Sequence, residues 1–420
     1  MKLFLPKRKQ THYLIVIICC CCLTTCSVGN AFNCAGLFYS PISQELDVGI
    51  GQVAFYITIA SLISGLAAPF AIKCFEIQGT TPVLSCATLV SVGCYLLLSR
   101  ANNIALLYFC GIFLGISTSF YGIPVAAYFI SNWFEAKYEV VTGIVFSFSG
   151  LGGALLNPLY SAVMEKVGWR NTYLCSALIV FVLLLPSCLL LQKDPACYEL
   201  PKYRGNSKVK KQDAVTGAEK EKAGNVNVKF VLVICCVVGF LGFFVTTYAT
   251  HFKTYIISLG IPTVVGVTMT TLAMISNSAG KFTAGILCEK MGGLNTALLM
   301  LFFGILGVFI LCISPVPALV FYLSAFLVGA VFSVPSVCLS AVGKTFFDGK
   351  AFASLYSVVQ VFASFGSASG YFCIGKIYDI TGSYKASSVL CLGFLLLSFL
   401  LMVILLISYK KFVHKTITMI

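Results

Sequence analysis

Residues 285–292 read Gly-Ile-Leu-Cys-Glu-Lys-Met-Gly, and the second half of this stretch recurs along the chain. An acidic residue, two further residues and a glycine stand together in four short polar breaks: Glu76–Gly79, Glu165–Gly168, Glu289–Gly292 and Asp379–Gly382. The glycines form two pairs, spaced 89 and 90 residues, and corresponding glycines of the two pairs lie 213 and 214 residues apart. Four copies at matched spacing indicate one structural unit that is repeated four times.

The composition places these repeats in a membrane protein. Of 420 residues, 59% are hydrophobic and only 10% are charged, and the mean hydropathy is +0.96. A soluble domain carries roughly 25% charged residues, so this chain has too little polar surface for a water-soluble globule. The net charge of +14 does not indicate nucleic-acid binding, because the basic residues stand between apolar runs. A soluble enzyme, a nucleic-acid-binding domain and a disordered chain are therefore excluded.

Twelve apolar runs are long enough to cross a membrane. A helix crosses the hydrocarbon core in about 20 residues, and long apolar runs without strict alternation favour helices. The first run follows Lys7, Arg8 and Lys9 as in a signal peptide, but it continues to Tyr39 without a cleavage site and is interpreted as a span. The predicted spans are Tyr13–Tyr39, Val53–Ile72, Pro82–Leu98, Ile104–Ile130, Val140–Met164, Thr172–Leu191, Phe230–Tyr255, Thr263–Leu287, Thr296–Ile313, Ala318–Val342, Ala351–Ile374 and Ser387–Ile407.

One long hydrophilic segment divides the twelve spans into six and six. Residues 193–229 contain nine Lys or Arg and no apolar periodicity, which is typical of a flexible linker. The predicted domains are an N-terminal half (residues 1–192), this cytoplasmic linker and a C-terminal half (residues 230–420). With the N-terminus inside, 21 of the 28 Lys and Arg lie on the cytoplasmic side and six on the outer side. This asymmetry predicts a plasma membrane protein with both termini in the cytoplasm.

The repeat predicts how the spans are arranged. Each acid-x-x-glycine segment follows the second helix of a three-helix unit, and three helices reverse the chain direction, so neighbouring units are inverted. The expected fold is an all-α membrane protein with 12 transmembrane helices, in two six-helix halves built from inverted three-helix repeats. Each glycine permits a tight turn, and each carboxylate is expected near the positive end of the helix that follows it.

The loop Gly285–Gly292 resembles the motif G-x-L-x-D-R-x-G of the major facilitator superfamily, and the resemblance covers essentially the whole chain. It implies a transporter of twelve helices, in which the acid and base of this loop help to latch the two halves. Glu289 and Lys290 match those two positions. The corresponding first-half loop, Glu76–Gly79, keeps the acid but has Ile77 where a base is expected.

Further segments resemble the branch of that superfamily formed by the oxalate:formate antiporter and the monocarboxylate transporters. Gly280-Lys281 stands where the branch has Gly-Arg in the eighth helix, and Gln360 is the polar residue where a second cation is expected. One cation in place of two implies a monocarboxylate substrate rather than a dicarboxylate. The other matching segments are the loop Asn132–Phe134, the helix-packing glycines Gly150, Gly152 and Gly153 with Pro158 in the fifth helix, and Gly168–Arg170.

Lys281 is the one clear charge within a predicted span, and charge inside a bilayer is costly and usually functional. One interpretation places Lys281 in a central cavity, where it pairs with a substrate carboxylate. The alternative is that its stem reaches the cytoplasmic interface or a polar neighbour, because it stands six residues, or about 9 Å, before Leu287. Gln360, Tyr121 and Tyr248 are further candidate contacts, although most aromatic residues of such a chain serve packing or the interfacial belt.

Four other residues have two interpretations each. His251 and Lys253 end the seventh span on the outer side, where we expect them to anchor the helix at the headgroups; the alternative is that they attract anions into a vestibule. Pro124 in the fourth span and Pro335 in the tenth are expected to bend their helices. Such bends serve either static packing or flexing during transport.

No predicted span holds an Asp or Glu at its centre. Proton symporters commonly carry the proton on such a carboxylate, so anion exchange, facilitated passage or coupling through a protonated substrate is expected. The 20 cysteines lie nearly all in apolar stretches without zinc or disulfide spacing, and they are interpreted as small hydrophobic residues. The sequence indicates no enzyme activity, no cofactor and no metal.

The expected function is alternating-access transport of a small organic anion, a monocarboxylate. A first alternative is an exporter of neutral or amphipathic molecules, which an aromatic-rich cavity would suit. A second alternative, from another class, is a membrane sensor or scaffold that does not transport. The expected partners are a small-molecule substrate and the lipid bilayer, without nucleic acid, and the expected functional unit is a monomer.

Overall fold

The computed structural model describes residues 7–134, 138–198, 200–203, 228–313, 317–346 and 349–417. Within them the chain forms twelve helices, in the order of the predicted spans. Lys137 and most of the predicted linker lie outside the described residues. The helices are α1 (Lys7–Thr24, Thr25–Phe32 and Gly36–Leu46), α2 (Ile50–Gln78), α3 (Thr80–Leu98), α4 (Ile104–Ser119 and Ile123–Trp133), α5 and α6 (together Tyr138–Leu190), α7 (Val228–Thr246, Thr247–His251 and Phe252–Ser258), α8 (Thr263–Met291), α9 (Gly293–Cys312), α10 (Ala318–Gly329, Ala330–Phe332, Val334–Cys338 and Leu339–Phe346), α11 (Gly349–Thr381) and α12 (Lys385–Ile417).

Ten stretches of the described residues are long and apolar enough to cross a membrane. One of them, Val140–Leu190, contains both α5 and α6, which meet at the non-helical backbone of Gly168. The helix outside the ten is α8, because its Thr, Ser and Asn residues and Lys281 make it more polar than its neighbours. The most polar span of a membrane bundle is expected to face other protein rather than lipid.

The four repeated glycines make the turns that the sequence predicts. Gly79, Gly168 and Gly292 have φ of 83°, 80° and 83°, and Gly382 has φ of 67°. A side chain at such φ brings Cβ too close to the backbone, which is why glycine stands there. Each of these glycines separates the second helix of a three-helix unit from the third.

The chain connections fall on two faces of the bundle. On one face, the Arg170 guanidinium at the start of α6 bonds Glu45 at the end of α1 and Asn102 before α4. On the other face, the Trp133 indole at the end of α4 donates to the carbonyl of Gln192, after α6. We call the second face, where the described chain begins and ends, the terminal face, and the first the distal face.

Neighbouring repeat units are inverted in the structure. Gly168 lies on the distal face, because the next residues, Trp169 and Arg170, bond Glu45 there. Gly79 lies on the terminal face, since Phe75 just before it packs on Phe129 near the terminal-face end of α4, with ring centroids 5.4 Å apart. Two glycines in equivalent turns on opposite faces give the inverted three-helix repeat.

Each half encloses its own hydrophobic core. One core gathers buried residues of α1 to α6, such as Trp133 and Tyr160, and the other gathers buried residues of α7 to α12, such as Phe321. Helix α2 packs along α11, and α5 packs along α8, across the boundary between the halves. These two contacts leave α1, α4, α7 and α10 as the remaining helices that can face the boundary.

Those four helices are also the irregular ones, and each is the first helix of its three-helix unit. Helix α1 contains a π segment, Thr25–Phe32; α7 contains a 3₁₀ segment, Thr247–His251; and α4 is interrupted between Ser119 and Ile123. In α10, Pro335 lies in a π segment, as the predicted bend there requires. The interruptions in α1 and α7 contain no proline, and sequence analysis did not predict them.

Candidate functional site

The boundary between the halves is tied together most firmly at its distal end. The carboxylate of Asp379, at the end of α11, accepts the backbone N–H groups of Ile50 and Gly51 at the start of α2, each at 2.8 Å. A carboxylate at a helix N-terminus satisfies donors that lack an intrahelical partner and is favoured by the helix dipole. The expectation that each repeat carboxylate serves the next helix is therefore wrong for Asp379, which serves a helix of the other half.

Helices α1 and α7 complete the closure at the same end. A Cβ added to Gly36 would lie 1.6 Å from the carbonyl oxygen of Thr250, so the two backbones are in direct contact. Next to this contact, the Lys253 ammonium donates to the Leu37 carbonyl at 3.0 Å. We call these contacts of Asp379, Gly36 and Lys253 the distal seal.

Lys253 and His251 do not lie at the headgroups, and the anchor interpretation is wrong for both. Lys253 is 6% exposed and His251 is fully buried. Lys253 lies inside the bundle because helix α7 continues past it to Ser258 before the chain turns. The apolar residues that follow it, Tyr255–Ile257, are the sequence signal that could have placed it there.

His251 lies between the two halves. Its Nε2 is 3.3 Å from the carbonyl oxygen of Tyr371, and its ring centroid is 5.1 Å from that of Tyr39 in α1. The Tyr39 hydroxyl is buried without a hydrogen-bond partner among the described residues. An unpartnered buried hydroxyl is costly, so this part of the boundary has polar capacity to spare.

Further towards the middle, small hydroxyl residues join α2 to α11. Thr58 donates to the carbonyl of Ala368 at 2.8 Å, and Ser61 bonds Ser367 at 3.1 Å. Small side chains allow close packing of membrane helices. This contact extends the closed region from the distal face towards the centre.

Lys281 makes the polar contact nearest the terminal face, together with Ser278. Its ammonium donates to the Ser149 hydroxyl of α5 at 3.0 Å, and Ser278 donates to the Ser147 carbonyl at 2.8 Å. Lys281 is partly buried, and within the described part of the chain no acidic oxygen lies within 4 Å of it. Its positive charge is thus held at the boundary by a neutral hydroxyl.

The glycines of α5 bring the neighbouring helices close to this lysine. A Cβ at Gly150 would lie 2.8 Å from the Met274 carbonyl oxygen of α8, and one at Gly153 would lie 3.1 Å from Cβ of Asn33 in α1. At Gly152 the neighbour is Thr25 in α1, at 2.8 Å. Gly150 therefore packs against the other half, whereas Gly152 packs within its own half. Pro158 lies further along α5 and is exposed.

The other candidate contacts are used elsewhere. The Tyr121 hydroxyl bonds Ser91 at 2.7 Å and the Tyr248 hydroxyl bonds Ser388 at 2.6 Å, each within one half, and both tyrosines are fully buried. Gln360 donates to the Pro335 carbonyl at 3.3 Å, next to the irregular segment of α10. The structure does not bring these three side chains to Lys281, and substrate contact by any of them stays a prediction.

The boundary is open towards the terminal face. Among the described residues, no hydrogen bond joins the halves on the terminal side of Ser147 and Lys281. Glu76, Glu289 and Lys290 of the repeat loops are exposed and, in the described part of the structure, form no ion pair. The predicted latch by Glu289 and Lys290 is therefore not engaged in this conformation and stays a prediction.

Two apolar grooves lie away from this boundary site. One, of about 420 Å³, is lined by Val237, Phe240, Phe362 and Phe365 of α7 and α11, and another, of about 160 Å³, lies between α2, α3 and α4. Neither includes Lys281 or Lys253. The phenylalanines that α11 contributes to the larger groove are exposed on the outside of the bundle, where a membrane protein meets lipid.

Comparison with known proteins identifies the family. Residues 21–371 match the family model described as Major Facilitator Superfamily. The chain belongs to this superfamily. It is a multi-pass transmembrane transporter of a small-molecule substrate, and not an enzyme.

Relatives of the superfamily agree with this assignment. The chain is 21% identical over 352 residues to the uncharacterized MFS-type transporter YhjX of Escherichia coli (strain K12), covering 82% of this chain and 83% of that protein. It is 23% identical over 366 residues to monocarboxylate transporter 13 of Bos taurus, covering 86% and 82%. These relatives support the branch that the sequence motifs resemble.

Two crystal structures of transporters have the same fold. A mutant of the nucleoside transporter NupG covers 93% of this chain and 99% of its own, with a TM-score of 0.70 and 13% identity. The D-xylose-proton symporter covers 94% and 97%, with a TM-score of 0.71 and 13% identity. At this identity the likeness concerns the arrangement of the helices and not the substrate.

Proposed function

We propose that this transporter carries a small monocarboxylate by alternating access, as an exchanger or a facilitator. The observation that carries the proposal is Lys281: a lysine at the boundary between the halves whose only recorded partner is the neutral hydroxyl of Ser149. A cation without a counterion in a low-dielectric site attracts a carboxylate strongly. The branch motifs and the similarity to a monocarboxylate transporter support this choice of substrate.

The proposed path has its open end on the cytoplasmic side. The excess of Lys and Arg in the segments of the terminal face supports a cytoplasmic position for that face and for both termini, in the plasma membrane. Lys253 was counted with the outer loops but is buried within α7, and its removal from that count strengthens the asymmetry. Reporter fusions at the termini and after Asp47 test this orientation.

The domain boundaries at residues 192–193 and 229–230, and a monomer as the functional unit, belong to the same proposal. The separate cores of α1–α6 and α7–α12 support the two halves. A boundary path formed by one chain needs no second copy. Cross-linking of purified protein in lipid tests the monomer.

Counterflow into proteoliposomes tests the substrate. Purified protein is reconstituted with an internal pool of formate, acetate, lactate or pyruvate, and uptake of the labelled acid is measured. Wild type is expected to exchange at least one of them, Lys281→Ala to lose uptake and Lys281→Arg to keep part of it. Lys166→Ala, which removes an exposed lysine at the end of α5, is the matched control and is expected to behave as wild type.

Two results would contradict the proposal. Uptake by Lys281→Ala at the wild-type rate would show that Lys281 does not bind the carboxylate. Exchange of neutral amphipathic compounds, with none of the four acids exchanged, would favour the alternative of an exporter.

A further inference from the structure

Lys253 is a second buried cation at the boundary, at the other end of the path from Lys281. Its side chain is 6% exposed, and its ammonium contacts the Leu37 carbonyl oxygen at 3.0 Å and the Met164 sulfur at 3.5 Å. Both partners are neutral, and both belong to the other half of the molecule. A buried ammonium that is held by one carbonyl and one thioether is poorly compensated for the water it has lost.

The acidic groups near Lys253 do not pair with it. Glu165, at the distal end of α5, is near enough to interact with it electrostatically, but no ion pair within 4 Å forms in the described part of the structure. The carboxylate of Asp379 is used by the start of α2. The charge of Lys253 is therefore not explained by a structural ion pair.

Opening of the distal face must expose this ammonium. Its carbonyl partner, Leu37, follows Gly36, whose backbone is in contact with Thr250 of α7. When α1 and α7 separate, the bond to Leu37 breaks because its two ends are on different halves. The neighbouring Thr254 hydroxyl, which is buried without a partner among the described residues, becomes a further hydrogen-bond donor at the same place.

We propose that Lys253 is a second anion-binding residue, which binds the carboxylate of the substrate when the distal face is open and bonds the Leu37 carbonyl when that face is closed. The inference rests on the proposed function, because it assumes an anionic substrate. The substrate carboxylate and the Leu37 carbonyl then compete for one ammonium, so the distal seal forms only after the anion has left Lys253. Lys281, about 27 Å along α8 from its distal end by helix rise, is the next cation on the path.

The sign of one kinetic change separates this role from a purely structural one. If Lys253 only held the distal seal, its neutral replacement would favour the distal-open conformation and would lower the apparent KM for substrate added from the distal side. If Lys253 binds the anion, the same replacement raises that KM. Loss of a charge-assisted hydrogen bond corresponds to a change of about 10- to 100-fold.

The experiment compares Lys253→Met, Lys253→Arg and Asp379→Asn in oriented vesicles. The probe is the labelled acid among formate, acetate, lactate and pyruvate that wild type exchanges fastest, added in turn from each side. Lys253→Met is expected to raise the distal-side KM at least about 10-fold, while the charge-conserving Lys253→Arg stays within about 3-fold of wild type. Asp379→Asn weakens the distal seal without removing a cation, and its distal-side KM is expected to be unchanged or lower.

A distal-side KM of Lys253→Met that is unchanged or lower, as in Asp379→Asn, would overturn the inference and leave the proposed function standing. If wild type exchanges none of the four acids, the proposed function falls and the inference falls with it. If Lys253→Met is not recovered as a monodisperse protein, Lys253→Gln supplies the neutral variant and the same two outcomes apply to it.

Discussion

Replacement of Gly36 by alanine is expected to hold the distal face open. The new Cβ would lie 1.6 Å from the Thr250 carbonyl oxygen, 2.5 Å from its carbonyl carbon and 3.0 Å from its Cα. Ordinary contact of a Cβ begins at 3.4 Å, so α1 and α7 must separate by roughly 2 Å at this point. The obstacle is backbone of another helix and cannot rotate away, so the distal-closed conformation is destabilised by about 1–3 kcal/mol or more.

The same substitution does not disfavour helix α1 itself. Gly36 begins the segment Gly36–Leu46 with φ outside the left-handed region, and alanine is the better helix former by up to about 1 kcal/mol. The cost therefore falls on the closed conformation and not on the fold. A difference of about 1–3 kcal/mol changes the ratio of closed to open molecules about 5- to 150-fold.

Hydrogen–deuterium exchange measures this change without labels. Faster exchange is expected at the start of α2, where Ile50 and Gly51 bond Asp379, and in the segment Gly36–Leu46. The unfolding temperature is expected to remain near that of wild type. Gly93→Ala is the matched control, because a Cβ at Gly93 in α3 meets nothing within 4 Å.

One result would refute the reasoning. If Gly36→Ala exchanged its distal amides and carried substrate as wild type does, the contact between Gly36 and Thr250 would not be part of the distal seal. A fall in unfolding temperature with no change in exchange would assign this glycine to folding alone.

Two further predictions concern the turns and the buried tyrosines. Gly292→Ala is expected to destabilise the protein by about 1–2 kcal/mol, because φ at this position is +83°; Gly285→Ala, in open space without positive φ, should leave the unfolding temperature unchanged, and equal effects would contradict the account. Tyr121→Phe is expected to cost about 1 kcal/mol of stability through its bond to Ser91 while the KM in the uptake assay stays as in wild type. A raised KM would instead place its hydroxyl in the substrate path.

Much of the fold could be predicted because membrane helices are specified locally. A span needs about 20 apolar residues to satisfy its backbone in lipid, and that property can be read one segment at a time. The positive φ of Gly79, Gly168, Gly292 and Gly382 is also a local demand, which only glycine meets cheaply. The resemblance to the superfamily rests on the same loops, and the family comparison confirms it.

The neighbours of each side chain could not be predicted in the same way. Sequence analysis expected Lys253 at the headgroups and the Asp379 carboxylate near its own next helix. Their partners in the structure are 216 and 329 residues away along the chain. No local pattern encodes such a pair, since both partners are backbone groups whose positions depend on how the halves meet.

The sequence by itself determined twelve helices, their grouping in four inverted units and a lone lysine, Lys281, within a span. Hydropathy, glycine at positive φ and the cost of charge in lipid act on each segment wherever it lies. Only the tertiary structure decided that the distal face is closed, that Tyr121 and Tyr248 bond within their own halves, and that Lys253 is buried. These are properties of helix contacts, and a contact forms between surfaces that are far apart in the chain.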